Sequence, residues 1–140
     1  ALVDRIHGFI KGWEIPKMKD NLKISGWALN SEYFCTIMHM LRDDASYRVI
    51  VDELVDFSDD AYVRHTEAVK RIATAYLKLL FPNVRTNTDV NPKEFMKYCL
   101  CPAIKMRKAI WRQLSILDAE YKNEDKLMPK FTLRDVNNEV

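Results

Sequence analysis

At 140 residues the chain has the length of one domain, enough to bury about two-thirds of the surface its unfolded form would expose. A content of 48% hydrophobic and 30% charged residues excludes a disordered tail, and no run approaches the about 18 apolar residues a spanning helix needs, so no membrane partner is expected. The net charge of +2 is too small to argue for nucleic acid on balance alone.

The first stretch, Ala1 to Pro16, reads ALVDRIHGFIKGWEIP. It opens on an apolar run without an initiator Met, as a piece of a longer protein would. Asp4 and Arg5 set a carboxylate beside a guanidinium. From Gly8 to Ile15 the residues Phe9, Ile10, Trp13 and Ile15 lie among two glycines and stop at Pro16, which predicts a short strand or extended edge. Arg5 is suited to reaching a phosphate, or, with Asp4, forms a surface pair of small energetic value.

Lys17 to Leu29 is a connector, polar first and then apolar, expected to end by docking Trp27 on a core. From Asn30 the apolar period becomes that of a helix, with Phe34, Ile37, Met38, Leu41 and Ala45 on one side; Asn30 or Ser31 is placed to cap it. A second helix follows Ser46 with Tyr47, Ile50, Val51, Leu54 and Val55 as its stripe. Ser58, Asp59 and Asp60 make a turn. A third helix is expected from about Ala61 to Phe81, burying Val69, Ile72, Ala73, Tyr76, Leu77 and Leu80 and ending at Pro82-Asn83.

Val84 to Val90 is a polar loop. In Asn91-Pro92-Lys93-Glu94 the Asn caps, the Pro takes the first helical position and Glu94 stands where a capping box reaches back. The fourth helix should then run from Pro92 to about Asp118, kinked or broken at Pro102 with a carbonyl near Tyr98 left free. Beyond it the chain is polar, and Phe131 to Val136 is a candidate strand. The odd count of three cysteines, with Cys99 and Cys101 pointing apart on one helix, excludes a disulfide framework. They read as small core residues of a reduced, cytoplasmic protein. Cys35, Cys99, Cys101, His7, His39 and His65 show no paired zinc-ligand spacing, so no metal site is expected.

Asp4 through Pro16 resembles a segment of the Lon-related proteins of bacterial phage-exclusion (BREX) systems, labelled ATP-dependent Lon-type proteases. Their pattern is Asp-Arg-Ile-His-Gly-aromatic-apolar-Pro-Gly-Trp-Glu-Ile-Pro, and the chain departs from it at Lys11, where the family has Pro. The resemblance implies an AAA+ ATPase of which Ala1 to Met18 closes the core. In that class an Asp-Arg pair carries the arginine finger, and Arg5 is the residue that matches it, acting in trans on a neighbouring subunit's nucleotide. ATP and Mg²⁺ are implied for the parent protein, with none bound by this piece alone, and so is self-assembly into a ring.

No enzyme site is visible in the residues themselves. With Gly8, Gly12 and Gly26 as the only glycines there is no G-x-x-x-x-G-K-[ST] loop. No serine stands in a nucleophile's setting, so the piece should neither hydrolyse ATP nor cleave peptides. Within the resemblance, Arg64 near the start of the third helix matches a sensor-2 arginine, with Arg71 as runner-up; without it, Arg64 is a helix-surface residue pairing with Asp60 or Glu67. The fourth helix carries Lys97, Lys105, Lys108 and Arg112 close to one face, with Arg107 nearby, and such a strip either follows a nucleic-acid backbone or is a solvated face.

These features predict an all-α bundle of about four main helices, lid-like, preceded by a short extended segment. Residues 1–22 would be the edge of an ATPase core, 23–120 a helical lid and 121–140 a linker or the next domain. The alternative is a helical DNA-binding module using Lys105, Lys108 and Arg112.

Overall fold

The computed structural model describes residues 2–59, 61–117, 119–122 and 128–134. The chain divides into two units, Ala1–Phe9 with Ala45–Val140 and, separately, Ile10–Asp44.

The smaller unit holds two single 3-10 turns, Gly12–Glu14 and Asp20–Leu22, and then α1 (Ser31–Arg42). The expected strand or extended edge is extended at Lys11 and Ile15 but turns between them through Gly12–Glu14, where Lys11 Nζ meets Glu14 Oε1 at 2.7 Å. Gly26 takes a φ of 113°, a conformation side chains resist. Asn30 caps α1 as expected, its Oδ1 accepting from the N–H groups of Glu32 at 2.9 Å and Tyr33 at 3.1 Å. The stripe below it is less covered than its period implies. Ile37, Met38 and Leu41 are half-buried, Phe34 is exposed, Ala45 lies past the helix end, and no residue of α1 is buried. Trp27, expected to dock, is fully exposed. A unit with a single helix has no second apolar face of its own to close over that stripe.

The larger unit begins with the 3-10 turn Val3–Arg5 and resumes with α2 (Ser46–Leu54), β1 (Val55–Phe57) and α3 (Val63–Leu80). A 3-10 turn at Asn87–Asp89 leads into α4 (Pro92–Phe95), a π-helical turn (Met96–Leu100) and α5 (Cys101–Leu117), followed by a 3-10 turn (Ala119–Lys122) and β2 (Phe131–Leu133). The all-α expectation with four main helices holds, α4 to α5 counting as one composite helix. The addition is a two-stranded antiparallel sheet in which Val55 faces Leu133 and Phe57 faces Phe131. Val55 thus leaves the helical stripe for a strand, and Val136 lies outside the described residues.

The core is built where α2 and α3, and α3 and α5, pack together. Tyr47, Ile50, Val51 and Leu54 from α2 join Val69, Ala73 and Leu77 from α3 and Phe95, Cys99, Leu100, Ala103, Ile110 and Leu114 from the composite helix. Burial contributes roughly 1.5–3 kcal/mol for each large apolar side chain. At the rim of α3's face Ile72 and Tyr76 are half-buried and Leu80 is exposed. Among the cysteines only Cys99 is a core residue, its thiol pushed up to about 12 by burial. Cys35 and Cys101 are exposed, Cys101 because two residues along a helix carry a side chain to the far side.

Pro102 does not break the fourth helix. The N–H of Cys101 bonds to the carbonyl of Met96, five residues back, so the π turn shifts the hydrogen-bond register just before the residue that has no N–H to offer. Asn91 caps this helix through Lys93 N at 3.0 Å and Glu94 N at 3.3 Å, with Pro92 at its start. The reciprocal box stands instead at Thr86 and Asp89. The helix ends at Leu117, and Asp118 lies outside the described residues.

Candidate functional site

On α5 the buried positions are Ala103, Arg107, Ile110 and Leu114, so an arginine occupies a core position of the stripe. Arg107 is 0% exposed, and a guanidinium there is tolerable only if its donors are met. Its Nη2 donates to Asp4 Oδ1 at 2.7 Å, its Nη1 to the carbonyl oxygens of Asp4 at 3.1 Å and Ile6 at 2.6 Å, and its Nε to His65 Nδ1 at 3.0 Å. The 3-10 turn Val3–Arg5 is thereby held on α5.

Asp4, 3% exposed, also accepts a hydrogen bond from Arg64 Nη1. Burial alone would raise its pKa, but the hydrogen bonds from Arg64, Arg107 and Tyr121 hold the carboxyl below its ordinary value. His65, 1% exposed, is pushed the other way for a base, down to about 4, by burial and by the Arg107 charge. Its Nδ1 accepts from Arg107, so the neutral ring carries its proton on Nε2.

Around this buried cluster lies a depression of about 270 Å³, lined in part by Arg5, His7, Arg64, Glu67, Arg71 and Arg107. Arg71 Nη1 lies 3.2 Å from His7 Nε2 and its Nε 3.7 Å from Glu67 Oε2. Glu67 is shared, its carboxylate also taking both terminal nitrogens of Arg48 at 2.8 and 3.2 Å. Arg5 is exposed, and its guanidinium has no hydrogen-bond or ion-pair partner among the described residues. Three exposed guanidiniums, those of Arg5, Arg64 and Arg71, stand there against the Glu67 carboxylate, and such a basin is suited to a polyanion.

The three arginines singled out from the sequence, Arg5, Arg64 and Arg71, are therefore brought to one place. Asp4 does not pair with Arg5; it faces inward to Arg64 and Arg107. Arg64 pairs with Asp4 rather than with Glu67, and Asp60 lies outside the described residues. Lys105, Lys108 and Arg112 are exposed on α5, whereas Arg107, placed near that strip from the sequence, is buried. Asp4, His65 and Arg107 were not expected in the site. The signal available in the sequence is the position of Arg107, four residues after Ala103 and three before Ile110, on the apolar stripe of its helix.

Among the described residues no three or more His, Cys, Asp or Glu gather to hold a metal ion, and no helix is long and apolar enough to cross a membrane. A family model described as the ATPase domain of BrxL-like, Lon-like proteases matches residues 1–127. The chain is 30% identical over 117 residues to the Lon-like protease BrxL of Escherichia coli O9:H4 (strain HS), covering 84% of this chain and 16% of that protein. To the Lon-like protease BrxL of Bacillus cereus (strain H3081.97) it is 24% identical over 135 residues, covering 89% of this chain and 20% of that protein. The chain thus spans a fifth or less of the length of these curated relatives.

Proposed function

The chain belongs to the BrxL-like family of Lon-like proteases and falls within their ATPase domain, and from that premise we propose that it is the helical lid of an AAA+ ring, offering arginines to a nucleotide. Residues 1–22 close the ATPase core, 23–120 form the lid and 121–140 lead onward. Arg5 acts as the finger on the nucleotide of a neighbouring subunit, and Arg64 and Arg71 are the sensor candidates. ATP and Mg²⁺ are held chiefly by parts of the parent protein outside this chain. The phage-exclusion role, the cytoplasmic setting and the ring belong to the same proposal.

The observation that carries it is the exposed Arg5 guanidinium, unpaired among the described residues; Arg64 and Arg71, which as sensor candidates would serve the nucleotide of their own subunit, line the same depression. Such cations stabilise the charge that spreads over a transferred phosphoryl group. In the assembled parent protein, Arg5→Ala should lower ATP turnover about a thousandfold, the scale of a missing arginine finger, while nucleotide binding measured by equilibrium titration stays within a few fold. Unchanged turnover would remove the finger assignment.

A second reading is supported by the exposure of Lys105, Lys108 and Arg112 on α5, where they have no ion-pair partner among the described residues. These three would follow a DNA backbone. Neutralising all three should weaken DNA binding at low salt and flatten the dependence of log K on log salt by about 0.9 for each phosphate no longer neutralised. Binding that is absent at low salt, or unaltered by the triple change, rejects this reading.

A further inference from the structure

We propose that Arg107 is a positioning residue for Arg5, a role that depends on Arg5 acting at a nucleotide as set out above. The two carbonyls that share Arg107 Nη1 belong to Asp4 and Ile6, the residues on either side of Arg5. A single buried guanidinium therefore grips the backbone before and after the exposed side chain. Its other two bonds, to the Asp4 carboxylate and the His65 ring, fix the plane of the fork, because four of the five N–H groups an arginine owns are engaged at once. Among the described residues Arg5 has no side-chain partner that would aim it, so its direction is set from beneath.

The same cluster joins two helices. Arg64 and His65 come from α3 and Arg107 from α5, and both arginines donate to Asp4. A displacement of α3 along α5 must strain or release the bonds that hold residues 4 to 6. Movement of the lid helices and the aim of Arg5 are in this way one coordinate. Misplacing a charge-stabilising group by about 1 Å costs on the order of a hundredfold in rate, so a clamp on the backbone matters even though it never touches nucleotide.

Lysine at 107 keeps the charge but has no planar fork with which to reach both carbonyls and the ring. The test is a double-mutant cycle in the full-length assembled protein, measuring kcat and KM for ATP in the wild type, Arg5→Ala, Arg107→Lys and the pair. Arg107→Lys should lower kcat by about tenfold or more with KM within a few fold, with assembly unchanged on gel filtration. In the Arg5→Ala background it should cost nothing further. Equal fold losses in both backgrounds, or an undiminished kcat, overturn the clamp and leave Arg5's own role standing. Wild-type turnover in Arg5→Ala would instead overturn that role and this one with it. If the lysine variant does not assemble, His65→Gln goes through the same cycle, because it changes the acceptor of Nε while leaving Arg107 and its other three bonds in place. A smaller loss, confined to the Arg5-containing background, is expected, and an additive loss or none overturns the clamp.

Discussion

His65 is the residue on which the acid stability of the larger unit turns. Its ordinary pKa of 6.5 falls to about 4 in the fold, because burial and the Arg107 charge both oppose protonation. Between these two values the unfolded chain binds a proton that the folded chain refuses, so stability is fully present above pH 6.5 and is lost as pH falls toward 4. The loss between about pH 7 and pH 5 is about 2 kcal/mol. Asp4 shifts in the same sense, but only below its ordinary 3.8, so it leaves this window clear. Urea midpoints at the two pH values should differ accordingly in the wild type, and His65→Gln should flatten the difference. Equal midpoints in the wild type would mean that the ring is protonated in the fold or reached by water. Of the cluster around His65, only the place of Arg107 on the apolar stripe of its helix is legible in the sequence; its partners Asp4 and His65 are remote along the chain and carry no local spacing. Arg5, Arg64 and Arg71 could be named in advance through the family pattern and helix position, since each lies on an exposed surface that local rules describe.

Elements whose ends are set by local chemistry were legible, and those set by packing were not. Asn30 and Asn91 both cap as their sequence contexts require, because an Asn side chain meets N–H groups only two or three residues away. Val55 continues the apolar period of α2 yet belongs to a strand; its partner Leu133 is remote in sequence, and tertiary pairing overrides period. Pro102 shows the intermediate case. Its missing N–H and its clash with the turn before it were foreseeable. The remedy, a π turn at Met96–Leu100 that keeps Leu100 and Ala103 buried in one core, is chosen by what the helix packs against. Gly8 is similar: a Cβ there would stand 3.0 Å from Met106 Cβ and 3.1 Å from Ile72 Cδ1, so the glycine serves a close crossing rather than a turn.

At the scale of the molecule, burial is unevenly distributed, and this fixes where the chain can open. Within Ala45–Val140, α3 buries eight residues, His65, Thr66, Ala68, Val69, Lys70, Ala73, Thr74 and Leu77. That side is further tied by Arg48 to Asp52 and Glu67 and by Lys70 to Asp52, each at 2.8 Å. Within Ile10–Asp44, the 12 residues of α1 include none that is buried. A helix of that length with no side chain fully buried is marginal in water, because nucleation costs more than its few hydrogen bonds return. Local opening of α1 should therefore need little free energy, whereas α3 and α5 open only with the whole unit. Amide hydrogen exchange on this chain should find α1 nearly unprotected while the core amides of α3 and α5 exchange about a thousandfold slower or more, at the rate set by global unfolding. Protection in α1 equal to that of α3 would require packing that buries its Phe34, Ile37, Met38 and Leu41 side, and would overturn the uneven distribution.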